Sequence, residues 1–222
     1  PSVGATENII LTTVLAEGTT VINNAAMEPE IVDLIYYLKK MGAKIDGGGT
    51  NKITITGVKK LSGASYNVMP DRIEAGTFLC AAAATGGNII LENVNSNHME
   101  SVLDKLEECG CEIRKFNNNI QLIAPKRIKP LEIKTMTYPG FPTDMQQIFS
   151  AMLLKSSGTS VIVENIFENR YKFISELRKM GAKITVESRT AVITGKRNIS
   201  SANMMCTDLR GGASLVIAAL MA

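Results

Sequence analysis

Three stretches of the chain align with one another. They are GTTVINNAAMEPEIVDLIYYLKKMGAKI from Gly18, GGNIILENVNSNHMESVLDKLEECGCEI from Gly86 and GTSVIVENIFENRYKFISELRKMGAKI from Gly158. A repeat about 70 residues long restricts the fold strongly. One such unit cannot bury its own apolar face and must pack on its neighbours. Each unit opens with a helix rich in small and apolar residues: ATENIILTTVLAE, EAGTFLCAAAAT and DMQQIFSAMLLKS. These are apolar around most of their circumference, which predicts helices buried on nearly all sides. A glycine ends each helix, and a β-branched strand follows. An amphipathic helix comes next. In EIVDLIYYLKKM, Ile31, Leu34, Ile35 and Leu38 share one stripe and the lysines lie opposite. Gly42, Gly110 and Gly181 stand where left-handed caps belong, and two short strands with tips GGGTN, FNNN and ESR close the unit. A fourth copy begins at DLRGGASLVIAALMA. The expected fold class is α/β (α+β), with the apolar helices inside and sheets outside. Paired strands after each amphipathic helix disfavour a simple doubly wound sheet.

Hydrophobic residues make up 45% and charged residues 20% of the 222 positions, ordinary values for a globular chain. The net charge of +3 comes without a basic cluster interleaved with aromatics, so nucleic acid is not an expected partner. The charge is compatible with a small anionic ligand. Cys80, Cys109, Cys111 and Cys206 are scattered, and the one histidine, His98, has no ligand pair beside it. No metal and no cofactor are expected, and the thiols read as free. No apolar run reaches the roughly 20 residues of a membrane helix, so no membrane is expected either.

If the units are related by symmetry, the starts of their buried helices cluster. Those starts read SVGATEN, PDRIEAG, FPTDMQQ and TDLRGGA, the last beginning at Thr207. Unpaired N–H groups at several helix ends, with Arg72 and Arg210 beside them, would favour a phosphate or carboxylate ligand. Each residue alone has a plainer role. Asp71 with Glu74 reads as a cap, Thr143 with Gln146 as a capping box, and Asp144 as a first-turn carboxylate that stabilises the dipole. Arg170 reads alone as a solvated helix residue, although the sister units carry no arginine in that place. The coincidence of Asp144, Arg72 and Arg210 at equivalent places is what points to a site.

At these same motifs the chain resembles the bacterial UDP-N-acetylglucosamine enolpyruvyl (1-carboxyvinyl) transferases. The resembling stretches are SVGATEN, NAAMEPEIVDL, MPDRIEAGTFL, FPTDMQ, FENRYKF with ELRKMGAKI, and TDLRGGASLV, spread over nearly the whole chain. The resemblance implies an inside-out α/β barrel of the enolpyruvyl transferase type, built from β-α-β-α-β-β repeats in two domains. Residues 1–69 would be the last repeat of the first domain. Residues 70–222 would hold two repeats and the start of a third in the second. The implied reaction moves the enolpyruvyl group of phosphoenolpyruvate to the 3-hydroxyl of UDP-N-acetylglucosamine and releases phosphate. It opens peptidoglycan synthesis in the cytoplasm and is blocked by fosfomycin at a loop cysteine. Carried over by motif, Ser2, Val3 and Gly4 would hold the UDP part on a small-residue loop. Asp144 would be the general base, with Arg170 and Arg210 beside it as catalytic groups. Ile166 would line the nucleotide-sugar pocket, where the family often has valine, and Arg72 and Asp208 would line the cleft.

The chain starts at Pro1 and stops inside an apolar helical run, so it reads as an internal, C-terminal-half piece. The loop cysteine, a Lys-Asn pair and further arginines of the family would then lie outside it. The expected partners are the two substrates and the remainder of its own chain. The piece alone is expected to be inactive and to self-associate through uncovered helix faces. The alternative is a non-catalytic sugar-nucleotide binding or regulatory paralogue of the same fold.

Overall fold

A computed structural model describes residues 1–206 and 208–222; Thr207, part of the fourth predicted helix start, lies outside the described residues. The chain divides into two units. Unit 1 is Pro1–Met69 with Thr137–Pro139, and unit 2 is Pro70–Met136 with Gly140–Ala222.

Unit 1 holds one repeat. Helix α1 (Val3–Thr13) leads to β1 (Thr19–Asn23), α2 (Pro29–Lys40), β2 (Lys44–Asp46) and β3 (Lys52–Thr56). The sheet order is β1-β3-β2, antiparallel throughout. Helix α2 buries Ile31, Ile35 and Leu38, as its period predicts, against Ile45, Ile53 and Ile55 of the sheet. Helix α1 departs from expectation. Only Thr6 and Ile10 are buried, while Ile9 and Leu11 are exposed.

Unit 2 repeats the plan. Helix α3 (Arg72–Thr85) precedes β4 (Asn88–Leu91), α4 (Glu100–Glu108), β5 (Glu112–Phe116) and β6 (Asn119–Ile123), in sheet order β4-β6-β5. Strand β7 (Glu132–Lys134) follows. A 3-10 turn over Thr143–Met145 then enters α5 (Gln146–Met152), which ends in a second 3-10 turn, Leu153–Lys155. Next come β8 (Thr159–Val163), α6 (Ile174–Lys179), β9 (Lys183–Glu187), β10 (Thr190–Thr194) and α7 (Leu209–Leu220). The second sheet runs β7-β8-β10-β9, and β7 pairs parallel with β8. The sequence pattern gives no sign of β7, a three-residue strand.

In every sheet the last strand of the repeat sits in the middle, between the first strand and its own hairpin partner. Gly42, Gly110 and Gly181 have φ of +104°, +102° and +80°, the left-handed caps the sequence predicts. Helices α3, α5 and α7 pack on one another. All seven residues of α5 are buried, so it forms the axis of the unit 2 core. Gly76 lets α3 approach closely: a Cβ there would lie 2.8 Å from Met145 Cε. Phe141 meets Phe149 edge-to-face at 4.9 Å, which steadies the entry to α5. No helix among the described residues is long and apolar enough to cross a membrane.

Candidate functional site

Unit 2 contains an open hollow of about 590 Å³. It is lined by Asp144, Gln147, Arg170, Lys172, Asp208 and Arg210, among others. Three short pieces of chain supply these groups: the turn entering α5, the segment 164–173 after β8, and the start of α7.

Asp144 sits at the centre. Arg170 Nη2 donates to its Oδ1 at 2.5 Å, and Arg210 donates to its Oδ2 from Nη2 at 2.9 Å and from Nε at 3.2 Å. The side chains of Asp144, Arg170 and Arg210 are 36%, 16% and 26% exposed, so the group is neither sealed nor freely solvated. Burial alone would push the Asp144 carboxyl up. The hydrogen bonds and charges of Arg210 and Arg170 outweigh it and hold the carboxyl below its ordinary value. Arg170 is itself gripped, with its guanidinium 4.8 Å from the centre of the Phe167 ring and Nη1 donating to Thr143 Oγ1 at 3.1 Å. Gln147 Nε2 donates to the Arg170 carbonyl at 3.2 Å.

Thr143 corrects one reading. It does not cap a helix with Gln146. Pro142 takes the extended position before the turn, which draws Thr143 inside it, and no side-chain cap forms there. The Thr143 hydroxyl instead donates to Glu164 Oε2 at 2.8 Å.

Asp71 caps α3, as its sequence predicts, and the starts of α1 and α7 are capped by side chains as well. Asp71 Oδ1 accepts from Ile73 N and Glu74 N at 2.7 and 3.1 Å. Asp208 Oδ1 accepts from Gly211 N at 2.8 Å, in a space that a Cβ on Gly211 would fill. Ser2 Oγ takes Ala5 N at 3.3 Å. The capping side chains therefore occupy donors that the sequence reading reserves for an anion. The positive charge at the hollow comes from the side chains of Arg170, Lys172 and Arg210 rather than from the helix ends.

Asp208 is exposed, caps α7 and lines the hollow. Arg72 is buried in the first turn of α3 and is not among the residues lining the hollow. Ile166 is half-buried, its amide bound to Glu164, and is not among the lining residues either. Ser2, Val3 and Gly4 belong to unit 1. They do not form a loop: Ser2 caps α1, and Val3 and Gly4 make its first turn, with open space beside Gly4. The sequence reading missed Gln147, Lys172, Thr143 and Glu164. The last directly follows β8, where the sequence alone gives it no distinguishing mark.

Among the described residues, no three of the His, Cys, Asp and Glu side chains are grouped to hold a metal. Cys109 and Cys111 lie buried with their sulfurs 3.8 Å apart, and Cys80 is buried too.

The chain resembles known proteins over its full length. It is 55% identical over 222 residues to UDP-N-acetylglucosamine 1-carboxyvinyltransferase 1 of Caldanaerobacter subterraneus subsp. tengcongensis, covering all of this chain and 54% of that protein. It is 51% identical to the protein of the same name from Symbiobacterium thermophilum, covering 50% of it. The chain thus spans about half the length of the curated relatives it matches. A half-length match lends no support to the expected C-terminal-half placement, which is set aside. Among solved structures, the enolpyruvyl transferase NikO from Streptomyces tendae superposes with a TM-score of 0.86 at 22% identity, covering 99% of this chain and 53% of that one. EPSP synthase from Acinetobacter baumannii gives 0.68 at 22% identity, covering 100% of this chain and 54% of that one. These neighbours establish the enolpyruvyl transferase fold. The family described as EPSP synthase (3-phosphoshikimate 1-carboxyvinyltransferase) matches residues 1–222, and the chain belongs to that family.

Proposed function

We propose that the complete protein transfers the enolpyruvyl group of phosphoenolpyruvate to the 3-hydroxyl of UDP-N-acetylglucosamine, with release of phosphate, in the cytoplasm. One observation carries the reading: a carboxylate, Asp144, held by Arg170 and Arg210 on a hollow. The 50–55% identity to proteins named for that substrate supports the choice of sugar nucleotide.

A sugar hydroxyl is a poor nucleophile. Asp144 removes its proton as the oxygen attacks C2 of phosphoenolpyruvate, while the methylene carbon takes up a proton. Loss of a proton from the resulting methyl group then restores the double bond, and the C–O bond to phosphate breaks. The depressed value of the Asp144 carboxyl keeps it ionised at neutral pH, ready to accept a proton. It is a weak base while both arginines hold it. Substrate must draw the guanidiniums to its own phosphate and carboxylate groups, which raises the basicity of Asp144 at the moment it is needed. Arg170 and Arg210 thus serve as anion holders, with Lys172 and Asp208 on the same wall. Arg72 would act at the edge of the cleft, and Ile166 would border the nucleotide sugar. Ser2, Val3 and Gly4 would hold the UDP part. In this reading residues 1–69 close the first domain of the complete enzyme and 70–222 belong to the second.

The test is release of phosphate from phosphoenolpyruvate by the full-length protein, with and without UDP-N-acetylglucosamine. Release that depends on the sugar nucleotide is expected, and Asp144→Asn should lower turnover about 10²–10⁴-fold with an unchanged circular dichroism spectrum. Binding of the sugar nucleotide without any phosphate release would favour the non-catalytic reading. Near-normal turnover in Asp144→Asn would remove the base assignment.

A further inference from the structure

Glu164 does not line the hollow. It is 1% exposed, at the end of β8, and its carboxylate accepts four hydrogen bonds. Oε1 accepts from Thr135 Oγ1 at 2.9 Å, from Ile166 N at 2.8 Å and from Phe167 N at 3.0 Å, while Oε2 accepts from Thr143 Oγ1 at 2.8 Å. Burying a carboxylate is costly, and satisfying it wholly with hydroxyl and amide donors ties those donors to one point. The donors come from three places: the residue after β7, the turn entering α5, and the segment 164–173. Thr135 strengthens the joint, since its hydroxyl also accepts from Asn165 N at 2.8 Å.

Both ends of the Asp144–Arg170 pair are anchored there. Phe167, whose amide Glu164 binds, lies under the Arg170 guanidinium. Thr143, whose hydroxyl Glu164 orients, is the acceptor for Arg170 Nη1 and the neighbour of Asp144 in the chain. With its proton committed to Glu164, the Thr143 oxygen presents a lone pair to Arg170. We infer that Glu164 is a positioning residue, which acts through Thr143 and Phe167 to set Arg170 against Asp144.

The inference deepens the proposed site, and its test reads a proton rather than turnover, so the two stand or fall separately. In the full-length protein, aspartate carboxyl carbons are labelled with carbon-13 and titrated by NMR, with Asp144 assigned by its absence in Asp144→Asn. The charged groups around it are Arg170, Lys172 and Glu168 on the segment 164–173, and Asp208 and Arg210 at the start of α7. Displacing only Arg170 should raise the Asp144 midpoint by about one pH unit, because Arg210 remains. Glu164→Gln and Thr143→Val are both expected to show that rise, and Thr143→Ser, which restores the hydroxyl, the wild-type midpoint. A folded Thr143→Val protein with an unchanged Asp144 midpoint would overturn the inference. The same holds for a Thr143→Ser midpoint raised as far as that of Thr143→Val. If Glu164→Gln does not fold, the two Thr143 variants decide.

Discussion

At the scale of single residues, Asp144 links the site to stability. Its folded value is depressed, so its contribution is fully present above the ordinary aspartate value and is lost as pH falls through the depressed one. The stability difference between wild type and Asp144→Asn, measured by urea unfolding, should therefore be constant near neutrality and shrink below about pH 4. A difference that grows on acidification would contradict the pairing. Asp144 and Arg210 are 66 residues apart, yet the repeat made their meeting foreseeable, because both stand at the start of a buried helix. Apart from the family resemblance, Arg170 was visible only as a departure from its sister units. Glu164 and Thr143 were hidden for a physical reason: a carboxylate and a hydroxyl next to a strand end or a proline read equally well as solvated loop groups. Only the tertiary fold shows that they face each other.

At the scale of elements, the repeat explains two glycines that pattern alone does not. Gly57, Ala124 and Gly195 occupy the same place after the middle strand of each repeat. Their amides bond to Gly18 O, Gly87 O and Gly158 O. A Cβ at Gly195 would overlap the carbonyl oxygen of Ser156, and one at Gly57 that of Ala16, whereas the second repeat already accommodates Ala124. Backbone cannot move aside as a side-chain tip can. Gly195→Ala should thus destabilise by about 1–3 kcal/mol or more, while Ala124→Gly, which removes only a methyl group, costs about 1 kcal/mol or less. Thermal unfolding of both variants checks the asymmetry, and equal losses would count against it. The hairpins, the amphipathic α2 and α4 and the left-handed caps were legible because period and turn chemistry are local. Strand β7 was not, because three residues carry too little period and its parallel pairing with β8 is set by the rest of the fold. The exposure of Ile9 and Leu11 was equally invisible, since composition predicts an apolar helix but not which neighbours cover it.

At the scale of the whole molecule, the chain carries two separate cores. One gathers Ile10, Ile31, Ile53 and their neighbours in unit 1, and the other runs from Ile73 to Met221 in unit 2. The smaller core belongs to a unit of a size that buries a modest share of its surface. Amide exchange should accordingly be faster at Ile53 and Ile55 in unit 1 than at Ile148 and Phe149 on the axis of unit 2. Equal protection in the two units would mean that the cores open together. The clamp on Asp144 has a consequence for the complete protein. With its carboxylate seated between two guanidiniums, the protein carries a built-in rival for any anion that seeks them. Apparent affinity is then the difference between two attractions, and neutralising the rival should help the newcomer. Asp144→Asn in the full-length protein is expected to bind inorganic phosphate more tightly than wild type, by calorimetry, even as its chemistry fails.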